Sequence, residues 1–351
     1  MTSCASHFDR VERLVDKLRT VIDLNQVEAS SSLAQLLEYT CHTDTWQREA
    51  DADVRALPIP RVDDGQHSNA PAVRKCVRDA VYRPTLVYAN FSHANGFPAS
   101  TYRTIFAELA NDYDVRFIER YGHDPRYPVT RDWPHLVDQL LDDVAARLEQ
   151  PVWLVGHSLG GYLSVMAALK KPHWVKGVVM LDSPLIAGWR SRLLGVTQWA
   201  GLDERLSPAA VTRKRRTHWP SRDEAWRHFK RKQAFARWDE RMFANYIDHG
   251  IPPLGPGGAR ALAFDRNIEY RIYRTLPCTL GARLAHGAPV PVGFVAGTHS
   301  REVRQVGLDA TRRIVGPHFD WIDGSHLFPM ERPFDTARAI RRLLRDLERG
   351  A

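Results

Sequence analysis

From residue 81 onward the sequence predicts an α/β fold: a mostly parallel sheet with helices on both faces and an inserted helical cap. Two observations carry this expectation. Short, near-continuous apolar runs alternate with amphipathic helical stretches, the pattern of parallel strands buried on both faces. In addition, about 110 residues separate "VKGVVML" from "PVGFVAG", far more than one crossover helix occupies.

Taken in order, the first 80 residues read differently from the rest. "HFDRVERLVDKLRTVIDL" places Phe8, Val11, Leu14, Val15, Leu18 and Ile22 on one helical stripe. A second helix, "SSLAQLLEYT", follows its serine cap, and "PIPRVDDGQHSNAP" has the Pro, Gly, Asp and Asn content of a linker. Strands are then expected at "TLVYANF", "DVRFIE", "PVWLVG", "VKGVVML", "PVGFVAG" and "HFDWID", with helices over 99–110, 134–149, 158–170, 303–315 and 333–349. The expected division is a helical extension and linker over 1–80, a core over 81–182 and 289–351, and a helical cap over 183–288.

Composition narrows the class. The chain has 351 residues, 44% hydrophobic and 26% charged, which is ordinary for a globular protein and unlike a disordered one. No apolar run approaches the roughly 18–20 residues of a membrane helix, and no apolar stretch near the N-terminus reads as a secretory signal. Cys4, Cys41, Cys76 and Cys278 are far apart without CxxC spacing, so neither a disulfide framework nor a zinc site is expected, and a reducing cytoplasmic location is. The net charge of +8 is concentrated: residues 211–241 hold eleven Lys/Arg against four Asp/Glu.

The most specific motif is "VWLVGHSLGGYLSVMAAL". Gly156-His157-Ser158-Leu159-Gly160 is G-x-S-x-G between an apolar strand and a helical pattern, the context that motif requires. A sharp strand-to-helix turn there lifts the Ser158 hydroxyl over the sheet edge, and a side chain at Gly156 or Gly160 would strike backbone. A serine hydroxyl is a weak nucleophile near neutral pH and needs a base. His326 in "HFDWIDGSHLFPMERP" is the expected one, since it follows the last strand and so reaches the same sheet edge. A developing oxyanion needs two N–H donors, expected from the backbones of Leu159 and of Asn95 in "SHANGF".

These features, in the order "SHANGF", "ERYGHDPR", "GHSLGG", "LDSP", a cap and "GSHLFPMERP", resemble the α/β-hydrolase superfamily, in particular its capped serine branch of esterases, thioesterases and carbon–carbon hydrolases. The resemblance covers residues 84–345 and implies the α/β-hydrolase fold, with Ser158 as nucleophile, His326 as base, and Leu159 and Asn95 as the oxyanion hole. It assigns His123 a structural turn. Three departures stand out: no opening antiparallel hairpin is evident in residues 1–80, the common "GHGxS" turn reads "GHDPR", and the usual position of the acid holds Ser300.

Serine cannot supply the negative charge that orients the imidazole and stabilises imidazolium. Glu302, two residues on, is the expected triad acid. Asp182 in "VVMLDSP", at the end of an earlier strand, is the alternative. Each has a plainer reading, Asp182 as a turn cap before Pro184 and Glu302 as a first-turn acid suited to a helix dipole.

In the cap, Trp226, Phe229, Phe235, Trp238, Met242 and Tyr246 include pairs at helical spacing, the mark of an amphipathic helix with its other face solvated. The sharper reading gives its cations to an anionic substrate, and no nucleic-acid partner is expected. The expected activity is cofactor-free and metal-free hydrolysis of an ester or thioester of a small or acyl substrate through an acyl-enzyme. Carbon–carbon hydrolysis, acyl transfer or cofactor-free haloperoxidation would use the same residues, and a non-catalytic binding protein using the basic cap is the rival class.

Overall fold

The computed structural model describes residues 87–188, 212 and 215–350; the helices expected within residues 1–80, and residues 189–211 and 213–214 of the inserted segment, lie outside the described residues. In chain order the strands are β1 (Val87–Ser92), β2 (Tyr113–Phe117), β3 (Val152–His157), β4 (Val175–Leu181), β5 (His218–Trp219), β6 (Arg260–Ala261), β7 (Val292–Gly297) and β8 (Phe319–Ile322). Six of them form a parallel sheet in the order β2-β1-β3-β4-β7-β8, while β5 and β6 pair antiparallel by themselves. The parallel strands fall on the six apolar runs expected from the sequence.

Alternation along each strand divides the core in two. Phe91, Trp153, Val155, Val179, Leu181 and Val295 face one side, against α1 (Arg103–Leu109) and the long C-terminal helix Pro333–Arg349. Leu154, Val178, Met180 and Phe294 face the other, against α2 (Pro134–Ala145) and α3 (Leu159–Lys170). Neighbouring residues of β3 therefore point to opposite layers, the consequence of a two-residue strand period. Each fully buried Val, Leu or Phe contributes roughly 1.5–3 kcal/mol, so continuous apolar strands are worth building only where both faces are covered.

Two expected helices are subdivided. The run 303–315 is a pair of helices, α8 (Arg301–Val306) and α9 (Asp309–Val315), separated by Gly307 at φ +80°. That left-handed residue ends α8 at low cost because it carries no Cβ. In the inserted segment, α4 (Arg222–Lys230) and α5 (Glu240–Asn245) are distinct, followed later by α6 (Arg266–Arg274) and α7 (Leu280–Arg283). Ser221 accepts from Glu224 N–H at the start of α4, and Asp239 accepts from Arg241 N–H at the start of α5. Two caps so close together divide the aromatic stretch into short helices.

Because the six strands run parallel, their C-terminal ends share one edge. The loops carrying Asn95 (after β1), Ser158 (after β3), Asp182 (after β4), Ser300 (after β7) and His326 (after β8) all leave from it. Two helices follow the His326 loop: α10 (Phe328–Glu331) and α11, the long C-terminal helix Pro333–Arg349.

Candidate active site

Ser158 sits between β3 and α3 at φ +53°, a left-handed conformation unusual for a residue with a Cβ. The glycines on either side permit it. A Cβ on Gly156 would stand 2.1 Å from the Gly160 carbonyl carbon, and one on Gly160 would stand 2.0 Å from the Ser92 carbonyl oxygen. Both encounters are with backbone, which cannot step aside. The turn is held by Ser158 N–H donating to the Leu181 carbonyl at 2.9 Å, and by Ser183 Oγ donating to the Ser158 carbonyl at 2.9 Å.

The Ser158 hydroxyl donates to Nε2 of His326 at 3.1 Å, and Nδ1 of His326 donates to Oδ2 of Asp182 at 2.8 Å. The sequence favoured Glu302 for the bond to Nδ1; the structure instead places Glu302 Oε2 at 3.7 Å, on a side chain 46% exposed. The reason is geometric. Asp182 closes the strand between β3 and β7, and its buried carboxylate is fixed at both oxygens, with Oδ1 accepting from Gly297 N–H at 2.7 Å and Oδ2 accepting from Ser300 Oγ. Glu302 lies in the first turn of α8, half-exposed, with its Oε2 3.4 Å from Ser300 Oγ and farther from His326 Nδ1 than the Asp182 carboxylate is.

Ser300 thus has a structural explanation that the sequence pattern did not reveal. Its hydroxyl donates to Asp182 and accepts from Val303 N–H at 3.1 Å, which caps α8. The His326 loop is anchored similarly: Ser325 N–H and Oγ both donate to the buried Glu331 carboxylate. Burial is the largest influence on His326 and pulls its pKa down. The hydrogen bond to Asp182 and the charges of Glu302 and Asp182 outweigh it, leaving the ring above its ordinary value.

A second histidine links three loops. Ala94 N–H donates to Tyr102 Oη at 3.2 Å, Tyr102 Oη donates to His157 Nδ1 at 2.7 Å, and His157 Nε2 donates to the His326 carbonyl at 2.9 Å. Burial, reinforced by the neighbouring His326, holds the His157 pKa well below the usual range, so the ring is neutral with a fixed tautomer. The chain of bonds ties the loop after β1 to the turn before Ser158 and to the loop of His326. His93 anchors the same region, donating from Nδ1 to the Ala94 carbonyl at 2.8 Å and accepting from Tyr121 N–H at 3.1 Å, with burial lowering its pKa to about 4. His123 accepts from Asp265 N–H at 2.9 Å, a contact between its turn and the start of α6.

The Ala94 N–H is engaged by Tyr102, while the backbones of Asn95 and Leu159 lie in the turns that follow β1 and β3, at the sheet edge that carries Ser158. In the inserted segment, Phe229, Phe235, Trp238, Met242 and Tyr246 are buried and Trp226 is half-buried. Trp238 and Tyr246 pack their rings 5.6 and 5.7 Å from Phe97, just past the Asn95 turn. Much of the basic charge is paired: Arg215 with Glu269, Arg222 with Asp248, Arg227 with Glu224, and Arg241 with Asp239. Arg216 and Lys232 lie over the Trp219 and Phe229 rings. Asp182, Glu302 and His326 hold donor atoms within 4.8 Å of one another, close enough in principle to hold a metal ion, but Asp182 and His326 already bond to each other.

Comparison with known proteins gives this arrangement a context. Residues 91–339 match the model of the alpha/beta hydrolase family. E-2-(acetamidomethylene)succinate hydrolase is similar in structure, with TM-score 0.58 and 20% identity over 74% of this chain and 91% of its own. The thioesterase domain from the curacin biosynthetic pathway gives 0.56 and 20%, over 73% of this chain and 91% of its own. The peroxisomal alpha-beta-hydrolase Lpx1 from Saccharomyces cerevisiae gives 0.56 and 14%, over 75% and 78%. No curated protein matches the sequence. At such identities the structural likeness speaks to fold alone. The family match spans well over half of the chain, which therefore belongs to the alpha/beta hydrolase family.

Proposed function

We propose that this protein is a serine hydrolase that cleaves an ester or thioester through an acyl-enzyme, with Ser158 as nucleophile, His326 as general base and Asp182 as the acid that orients it. The observation carrying this reading is the single imidazole of His326, which accepts from Ser158 at 3.1 Å and donates to Asp182 at 2.8 Å. Asp182 can only accept while ionised, so the proton rests on Nδ1 and the Nε2 lone pair faces the serine hydroxyl.

In the first step Ser158 Oγ forms a bond to the substrate carbonyl carbon while its proton passes to Nε2. The carbonyl oxygen becomes an oxyanion facing the N–H groups of Leu159 and Asn95, a term worth about 3–4 kcal/mol for each donor. Collapse breaks the bond to the alcohol or thiol, which takes the proton from His326. Water then repeats the sequence on the acyl-enzyme and releases the acid. Asp182 stabilises the imidazolium in both halves, and Glu302 adds its charge from farther away.

The inserted segment acts as a cap in this reading, with its aromatic side presented toward the substrate region. Among the described residues no helix is long and apolar enough to cross a membrane, and we assign the protein to the cytoplasm on its cysteine pattern. A panel of activated esters and thioesters of varied length and charge tests the activity on wild type and Ser158→Ala. Because one similar structure is a succinate-derivative hydrolase and another a thioesterase domain, the panel should include a carboxylate-bearing ester and an acyl thioester. Turnover by wild type that vanishes in Ser158→Ala supports the reading. Turnover unaffected by Ser158→Ala rejects it, and no turnover of any member favours the binding-protein alternative.

A further inference from the structure

The turn that carries Asn95 is held from the inserted segment. The Asn95 side-chain amide donates to the backbone carbonyl of Glu269 in α6 at 3.0 Å. The next residue, Gly96, has φ +81° and rests against the Glu269 carboxylate: a Cβ there would stand 2.6 Å from Oε1 and 3.4 Å from Arg215 Nη1. Glycine suits this position for its backbone angle, and a Cβ would in addition displace the end of the Glu269 side chain.

The carboxylate is itself buried, with its side chain 6% exposed, and accepts from Arg215 Nη1 at 2.6 Å. The other end of the same guanidinium donates to Tyr246 Oη at 3.0 Å. Tyr246 is fully buried and its ring packs against Phe97, so the anchor returns to the Asn95 turn from a second direction. Burial pushes the Glu269 carboxyl above its ordinary range, and the charge and hydrogen bond of Arg215 oppose that rise. An unopposed buried carboxylate beside this turn would repel negative charge building on a substrate oxygen, since charges in a poorly screened interior act strongly on one another.

Resting on the assignment of Ser158 and Asn95 above, we propose that Arg215 and Glu269 form a charge-neutral latch that positions the Asn95 N–H as an oxyanion donor and keeps the Glu269 charge from opposing the transition state. Both are positioning residues and neither touches the reacting atoms. The latch couples the cap to the chemistry: displacement of α6 moves an oxyanion donor. Its signature is an effect on kcat with little effect on KM, because the oxyanion is present only after attack.

The test measures kcat and KM for p-nitrophenyl acetate, or the best ester of the panel, in Arg215→Met, Glu269→Gln, the double variant, Asn95→Ala and Ser158→Ala, with thermal unfolding of each. Arg215→Met is expected to lose about 100-fold in kcat, the scale of one oxyanion donor, with KM within about threefold. Adding Glu269→Gln to it removes the stranded charge and should restore at least about tenfold, a rescue that a purely structural role does not produce. Asn95→Ala keeps the backbone N–H but loses its tie to α6, and about a tenfold fall in kcat is expected. The proposal is overturned if folded Arg215→Met keeps kcat within about threefold of wild type, or if the double variant is no better than the single. Should Arg215→Met fail to fold, an unchanged kcat in Asn95→Ala overturns it equally. Activity surviving in Ser158→Ala removes the nucleophile assignment and the latch with it. Activity lost in Ser158→Ala but kept in the latch variants removes the latch alone.

Discussion

Nδ1 of His326 donates a 2.8 Å hydrogen bond to Oδ2 of Asp182, a side chain with no exposed surface. That bond sets the first prediction. Asp182→Asn cannot hold the required tautomer and is expected to lower kcat by about 10³–10⁴-fold, as removal of the orienting charge does in triads of this kind. Glu302→Gln, whose carboxylate stands 3.7 Å from the same nitrogen, should stay within about tenfold of wild type. Ester turnover of the two variants decides the matter. Equal losses, or a larger one in Glu302→Gln, would reverse the assignment of the acid.

The second prediction concerns pH. Burial depresses His326, but Asp182 and Glu302 together raise it above the ordinary histidine value. A general base works in its deprotonated form, so kcat/KM falls as pH drops through this raised pKa. Neutralising Glu302 removes one of the raising charges. The acid limb of the Glu302→Gln profile should therefore move to lower pH than that of wild type. An upward shift, or none, would show that Glu302 does not act on His326 through its charge.

Tyr102→Phe tests the chain from Ala94 to His326. The substitution leaves the Ala94 N–H without an acceptor and His157 Nδ1 without a donor, both fully buried. A loss of about 2–6 kcal/mol in unfolding free energy is expected, each of the two stranded buried groups costing roughly 1–3 kcal/mol. Urea unfolding should show a lower midpoint at unchanged slope. A midpoint equal to that of wild type would mean that these bonds do not hold the three loops together.

The elbow glycines give a structural control. A Cβ at Gly160 meets the Ser92 carbonyl oxygen at 2.0 Å, whereas one at Gly257 meets nothing within 4 Å. Gly160→Ala should destabilise by more than about 3 kcal/mol or fail to yield folded protein, while Gly257→Ala should change stability by less than about 0.5 kcal/mol. Circular dichroism and thermal unfolding of the pair provide the comparison. Similar behaviour of the two would contradict the packing described for the elbow.

The fold was legible in the sequence because a parallel sheet leaves a local signature. Runs such as "VKGVVML" are continuous in apolar residues only because both faces are covered, and the linear order of strands and helices follows from that. Ser158 and His326 were singled out by local patterns, a G-x-S-x-G between strand and helix and a histidine just past the last strand. The ranking of Glu302 over Asp182 depended on something no local pattern holds. It turns on which carboxylate the Gly297 N–H and Ser300 hydroxyl bind, contacts reaching across 115 and 118 residues. Tyr102 and Glu269 were invisible for the same reason. One reads as a buried aromatic at the start of a helix and the other as a first-turn acid, and their contacts lie 55 and 174 residues away. The break at Gly307 was in plain view in the sequence, but an isolated glycine in a helical run is often tolerated, so its positive φ emerged only with the loop that follows β7.

The central claim is that Ser158 is a nucleophile activated by His326, and a fluorophosphonate probe tests it most directly. Intact-mass analysis of the folded protein should show one covalent adduct, peptide mapping should locate it on Ser158, and both Ser158→Ala and His326→Ala should abolish or strongly slow its formation. A folded preparation that takes up no probe under conditions that label a control serine hydrolase, or an adduct that persists in Ser158→Ala, would contradict the account.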